Sequence, residues 1–273
     1  MIHWSLYTGH EQNIVENRKK HDSTIYTFDI ETSSIIILND KIYSAIKYKD
    51  LNEKEQKECS FYSFMYIWMF SINDVVYFGR TWREFQNFIA KIDEVAPQEK
   101  IVHVHNLSFE FQYLKSYFNF EDVIARKSHH VMKCTMSDYN FIFKCTKYMT
   151  NLALKDIPKT YGLKINKKVG DLDYSLIRTS LTPLTDLELG YCEADCLVLY
   201  EYIKKECEIY EYPHKIPMTA TGKVRRELKD LIRLDWNYRG RTKKAINVDP
   251  HVYNMLVRAF ARRIHTRIMA FYG

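Results

Sequence analysis

The sequence predicts an α/β fold: a mixed sheet flanked by helices, with a basic helical appendage at the C-terminal end. Three observations carry that prediction. Two β-rich runs, Phe61 to Ile72 and Val75 to Gly79, meet at Asn73-Asp74 as a hairpin, and strand–helix alternation follows. The 273 residues, 46% of them hydrophobic, suffice for one large domain plus an appendage. The net charge of +6 is unevenly divided: 26 Lys+Arg against 30 Asp+Glu from Met1 to Pro213, and 14 against 4 from His214 to Gly273. A mildly acidic body with a strongly basic end points either to a phosphate-backbone partner for that end or to a solvated helix face.

Residues 1–23 are polar and read as an irregular lead-in, ahead of a main domain over 24–212 and a basic segment over 213–273. The β-prone Thr24-Ile25-Tyr26 opens a strand that ends in Asp29-Ile30-Glu31. Asp50 to Glu58 reads as a charged connector. After the hairpin, Thr81-x-x-Glu84 has the pattern of a capping box, with Phe85, Phe88, Ile89 and Ile92 at helical spacing and Pro97 as the stop. Lys100 to His105 is a short apolar strand, and Asn106 leads into a helix through Phe118. Residues 120–150 alternate β-like runs with charged turns. Asn151 to Tyr161 reads as a helix interrupted by Pro158 and ended by Gly162. A long helix then runs from near Leu184 to about Cys207. The boundary lies at Tyr212 to Pro217, where two prolines break helix and the charge changes sign. Beyond it, Thr219 to Arg226 and Val252 to Ile264 carry helical patterns.

No apolar stretch reaches bilayer-spanning length, and the N-terminus lacks a basic-then-apolar signal pattern. A soluble, cytoplasmic protein with no membrane partner is the expectation. None of the six cysteines forms a Cys-x-x-Cys pair, which argues against structural zinc. Cys192 and Cys196 share a helix face and read as ordinary reduced thiols.

The chemistry centres on carboxylates. Asp29 and Glu31 are two apart on a strand, so their side chains point to the same face. Clustered carboxylate oxygens are what hard cations such as Mg²⁺ or Mn²⁺ require. Glu110 stands where a buried strand meets a helix, and Asp195 lies one helical turn past Tyr191 on the same face. Two divalent cations about 4 Å apart suit in-line attack on a phosphodiester, with a phenol orienting the water. Each piece also has a plainer reading: solvated strand acids, a helix-start acid favoured by the dipole, a half-exposed amphipathic face. Their order and spacing together are harder to obtain by chance.

Phe28-Asp29-Ile30-Glu31, then Asn106-Leu107-Ser108-Phe109-Glu110, then Tyr191-x-x-x-Asp195 resemble the three exonuclease motifs of B-family DNA polymerases, in particular the protein-primed type of small phages and linear organellar plasmids. The likeness spans about residues 24–235 and includes Gly170-Asp171-Leu172-Asp173-Tyr174 and Ala153-Leu154-Lys155-Asp156-Ile157. The resemblance implies a ribonuclease H-like sheet and a metal-dependent 3′→5′ proofreading exonuclease of the DEDD type. It implies that Asp29, Glu31, Glu110 and Asp195 bind two divalent metal ions, Mg²⁺ or Mn²⁺, and that Tyr191 positions the water. Thr32, Asn106, Phe109, Leu154 and Tyr174, with Lys168 as a substitute cation, would hold the single-stranded 3′ end. Aromatic rings stacking on unpaired bases fit that task on chemical grounds. Lys223, Arg225 and Arg226 would contact backbone without reading sequence.

Three positions depart from the family pattern. Glu110 replaces the usual Asp, Ala153 lacks the hydroxyl of a Ser/Thr, and Val169 stands where a lysine is expected. Palm motifs of the Asp-x-x-Ser-Leu-Tyr-Pro and Tyr-x-Asp-Thr-Asp kinds do not occur, so synthesis by this chain alone is not expected. A one-base shift in suitable codons for Arg262 to Arg267 would restore a family-like Gly-Gly-Tyr-Thr, which implies a frameshifted or interrupted polymerase gene; a split polymerase with a separate palm is the alternative, without a disrupted junction. The expected partners are single-stranded and primer–template DNA and a terminal protein, in a bacterial host carrying a phage or mobile element. A catalytically silent strand-binding module and a free-standing repair exonuclease are the alternatives.

Overall fold

The computed structural model describes residues 1–9, 22–165 and 172–238, the last eight as backbone only. In chain order the strands are β1 (Ile2–His3), β2 (Tyr26–Leu38), β3 (Lys41–Ser44), β4 (Ser60–Ile72), β5 (Val75–Gly79), β6 (Lys100–Val104), β7 (Phe120–Ala125), β8 (Val131–Met136) and β9 (Phe141–Cys145). The helices are α1 (Glu53–Glu58), α2 (Trp82–Val95), α3 (Leu107–Leu114), α4 (Lys147–Thr150), α5 (Ile157–Tyr161), α6 (Asp186–Tyr210) and α7 (Ala220–Tyr238). The chain divides into two compact units, Met1–Lys147 with Leu152–Ile216, and Tyr148–Asn151 with Pro217–Gly273.

The first unit is built on a sheet in the order β1-β5-β4-β2-β6-β9-β8-β7, with β3 also paired to β2. β2 runs antiparallel to β4 and parallel to β6, which is parallel to β9. Its five central strands therefore run third, second, first, fourth, fifth in chain order, a mixed arrangement compatible with the ribonuclease H-like sheet expected from the motifs.

Alternation along β2 divides the two faces. Phe28 turns toward α2, stacking on Phe85 at 4.8 Å between ring centroids, and Trp68 of β4 stacks on Phe88 at 5.4 Å. These four rings are fully buried, and such aromatic packing supplies a large share of core stability. The odd residues face α6: the Thr27 hydroxyl donates to the Cys196 carbonyl at 3.2 Å and meets Ser71 Oγ at 2.7 Å. Asp29 and Glu31 follow Thr27 on that face.

Local signals account for the boundaries. Thr81 and Glu84 form both arms of the capping box expected at the start of α2. Asn73, at φ 55°, turns the β4–β5 hairpin. Thr185 and Glu188 cap α6, which extends to Tyr210.

Four expectations are corrected. The strand bearing Asp29 and Glu31 does not end there but continues to Leu38, because Ile35–Leu38 gains β3 as a second partner. The N-terminal stretch is not wholly irregular: Ile2 and His3 pair with Tyr77 and Phe78 at the sheet edge. The charged connector contains α1, capped by Asn52 through the amides of Lys54 and Glu55. Pro158 opens α5 instead of interrupting a helix, since a helix start leaves its first N–H groups unpaired in any case. The Val252 to Ile264 pattern lies outside the described residues.

Gly79 is required by the packing around Trp68. A Cβ there would lie 2.4 Å from Trp68 Cζ2, on a ring that is itself fully buried and whose Nε1 donates to the Thr81 carbonyl at 3.0 Å. Gly79→Ala is expected to destabilise the protein by about 1–3 kcal/mol. Denaturant unfolding with an unchanged slope checks this; unaltered stability would contradict the packing described.

Candidate functional site

The sheet and α6 bring three carboxylates to one point. Each of Asp29, Glu31 and Asp195 offers an oxygen within 4.8 Å of the others. Asp29 and Glu31 come from the β2 face described above, and Asp195 comes from the middle of α6, with Tyr191 one turn earlier. Glu110, from the first turns of α3, stands beside this triad. It is 3% exposed, and its Oε2 has no hydrogen-bond partner.

The electrostatics show how costly the cluster is without a counter-charge. Burial, followed by the charges of Glu31, Asp195 and Glu110, pushes Asp29 well above the usual carboxylate range. Burial does the same to Glu110, with Glu31 adding to it and Glu110's own backbone N–H pulling the other way. A buried carboxylate oxygen without a donor beside three other acids is the donor set that a hard divalent cation satisfies. The residues therefore fit a metal ion.

Two tyrosines flank the acids. Burial and then the Asp195 charge push the Tyr191 phenol up to about 12, opposed by a hydrogen bond with Tyr174. Tyr174 is also raised, by burial and then by Glu31. Both stay protonated at neutral pH, so Tyr191 can orient a water but is not a base.

Alongside lies a pocket of about 340 Å³, whose walls include Glu31, Thr32, Tyr66, Phe109, Tyr174 and Arg178. Three of the residues expected to hold substrate, Thr32, Phe109 and Tyr174, thus meet there. Phe109 is 40% and Tyr174 57% exposed, which leaves ring surface free for stacking. Asn106 sits at the start of α3 in the left-handed conformation, φ 69°, its Oδ1 accepting from Lys147 Nζ at 3.5 Å. It is not among the pocket walls, and neither is Leu154, which is partly buried in a short 3₁₀ turn. Lys168, Gly170 and Asp171 lie outside the described residues. Lys223, Arg225 and Arg226 occupy the first turns of α7 in the second unit, Arg225 exposed and the others partly buried.

Tyr66 and Arg178 were not anticipated. Glu31 pairs with Ile67 and Thr32 with Met65, so Tyr66 is an extra residue on β4. Such a bulge re-aims a side chain, and here Tyr66 joins the pocket wall. Nothing in the apolar run from Phe61 to Ile72 marks one residue as bulged. Arg178 follows Tyr174 by four residues in a segment without helix or strand, where a lone arginine reads as solvated; it is 5% exposed.

No family model matches the chain, and no curated protein matches it. Among solved structures the chain is similar to phi29 DNA polymerase complexed with single-stranded DNA, with a TM-score of 0.55, 15% identity, and coverage of 77% of this chain and 35% of that one. It is likewise similar to phi29 DNA polymerase complexed with primer-template DNA and incoming nucleotide substrates, with a TM-score of 0.55 and 14% identity over 77% of this chain and 34% of that one. A third, the post-translocation binary complex of phi29 DNA polymerase with primer-template DNA, gives 0.54 and 16% over 77% and 35%. The likeness is one of fold, and the chain spans about a third of the length of these polymerases.

The raised carboxylates have a consequence for stability. In the metal-free fold Asp29 and Glu110 keep protons that the unfolded chain loses above about pH 4. Stability is therefore fully present below that pH and is lost as pH rises toward the folded values. Metal-free protein is expected to melt at a lower temperature at about pH 8 than at about pH 5. Asp29→Asn should shrink that drop, and millimolar Mn²⁺ should restore the wild type but not the variant. Equal melting temperatures at the two pH values would contradict the electrostatics of the site.

Proposed function

We propose that this chain is a metal-dependent 3′→5′ exonuclease on single-stranded DNA ends, the proofreading part of a protein-primed family-B DNA polymerase of phage or mobile-element type. The observation that carries this reading is the meeting of Asp29, Glu31 and Asp195 within 4.8 Å, with Glu110 beside them and a ring-lined pocket opening at Glu31. The fold likeness to phi29 DNA polymerase complexed with DNA supports it. The carboxylate motifs lie within these 273 residues and palm motifs do not, so the reading concerns the editing activity.

Asp29, Glu31 and Asp195, with Glu110, would hold two divalent cations, Mg²⁺ or Mn²⁺. Such cations lower the pKa of a bound water and stabilise the departing 3′-oxygen of a phosphodiester. The remaining work belongs to the chain. Tyr191, protonated and one turn from Asp195, holds the attacking water by its phenol. Phe109 and Tyr174 stack on the terminal bases, and the Thr32 hydroxyl bonds to sugar or phosphate. A paired 3′ end presents no free base faces to these rings, so frayed ends are preferred. Asn106, Leu154 and Lys168 would extend the strand contact, and Lys223, Arg225 and Arg226 would bind backbone without reading sequence. A terminal protein and a host cytoplasm complete this reading. One observation favours a second reading, a strand-binding module with weak hydrolysis: Glu110 lies outside the closest carboxylate triad.

With Mn²⁺, a 3′-labelled single strand should lose its label as mononucleotide while a 5′-labelled strand shortens progressively. Asp29→Ala should reduce the rate by about 100-fold or more, and Tyr191→Phe by roughly 10-fold, with strand affinity largely kept. Tight binding without hydrolysis in the wild type would favour the second reading; release of label from the 5′ end first would overturn both.

A further inference from the structure

The segment 172–184 has neither helix nor strand, yet it carries Tyr174 and Leu176 into the pocket wall. A strap of this kind holds a side chain in place only if its backbone is fastened. Two arginines fasten it. Arg80 donates through Nε to the carbonyl of Tyr66, the bulged residue, at 2.7 Å, and through NH2 to the carbonyls of Thr179 and Thr182, each at 2.8 Å.

Arg178 works at the other end. Its NH1 donates to the Asp173 carbonyl at 2.7 Å, next to Tyr174, and its backbone N–H donates to Ser33 Oγ of β2 at 2.9 Å. Its Nε and NH2 both donate to Glu188 Oε1, at 2.8 and 2.6 Å. The other oxygen of Glu188, Oε2, accepts from the backbone N–H and the hydroxyl of Thr185 in the α6 capping box, at 2.8 and 2.9 Å. One carboxylate thus ties the strap to the start of the helix that bears Tyr191 and Asp195. Ser44 Oγ adds a donation to the Tyr174 carbonyl at 3.3 Å.

We infer that Arg178 is a positioning residue: through Asp173 and Glu188 it sets Tyr174 against Tyr191 and over the pocket, so the strand-holding ring and the water-orienting phenol share one fastening. The Arg178 guanidinium is consumed by these protein partners and is not assigned a contact to DNA. A buried arginine in a fork with a carboxylate and a carbonyl is suited to this, because its planar donors fix direction as well as distance. The inference rests on the exonuclease reading above.

The test is a double-mutant cycle of Arg178→Met and Tyr174→Ala in the full chain. It is read as the rate of 3′-nucleotide release with Mn²⁺ and as single-strand affinity with Ca²⁺ in place of Mn²⁺. Arg178→Met alone should lower the release rate by up to about 100-fold, the scale on which a group misplaced by about 1 Å acts. In the Tyr174→Ala background the same change should have little further effect, and Arg178→Lys should recover only part of the loss. A merely structural role predicts equal losses in both backgrounds, in step with melting temperature, and that result overturns the inference. So does full activity in Arg178→Met. A wild type that releases and binds no 3′ end removes the exonuclease reading first and this inference with it. An active wild type with an additive cycle removes only the inference.

Discussion

Repulsion among buried carboxylates is the constraint on which the rest of this molecule turns. Asp29 is desolvated and then opposed by Glu31, Asp195 and Glu110 together. No fold gathers four acids in this way for stability, because each adds to the cost of the others and Glu110 Oε2 has no donor to offset its burial. The gathering is affordable because the opposite face of the same strand is so well packed. Phe28 and Ile30 alternate with Asp29 and Glu31, and Phe28 sits in a cluster of buried rings with Phe70, Phe85 and Phe143. One strand thus carries the core on one side and the charged site on the other.

The site's reach beyond the acids comes from irregular structure. The bulge at Tyr66 breaks the β2–β4 ladder beside Glu31, and the Tyr66 carbonyl it displays is an acceptor for Arg80. The strap held by Arg80 and Arg178 closes the pocket above that bulge. Regular elements therefore supply the carboxylates, and a bulge with a fastened loop supplies the walls. This is a division of labour in which rigid scaffolding sets the chemistry and loops set what is admitted.

What could be read from sequence followed short-range periodicities. Asp29 and Glu31 are two apart on a strand, and Tyr191 and Asp195 four apart on a helix, so each pair shares a face wherever its element lies. The Thr81–Glu84 cap was legible for the same reason, being local in sequence. Arg178 was not, because its role depends on Ser33 and Glu188, which only the tertiary fold brings to it. The bulge at Tyr66 depends on register between strands, which no single run of residues encodes. The position of Glu110 beside the triad, and not within it, is likewise a matter of how α3 leaves β6.

The central claim is that burial and mutual repulsion raise Asp29 and Glu110 in the metal-free fold, so that a divalent cation bound at the site displaces protons from them. Calorimetric titration of Mn²⁺ at about pH 7, in buffers of different ionisation enthalpy, counts the protons released on binding. The account predicts net proton release by the wild type, reduced in Glu110→Gln. Binding with no proton release, or no binding at millimolar Mn²⁺, would contradict it.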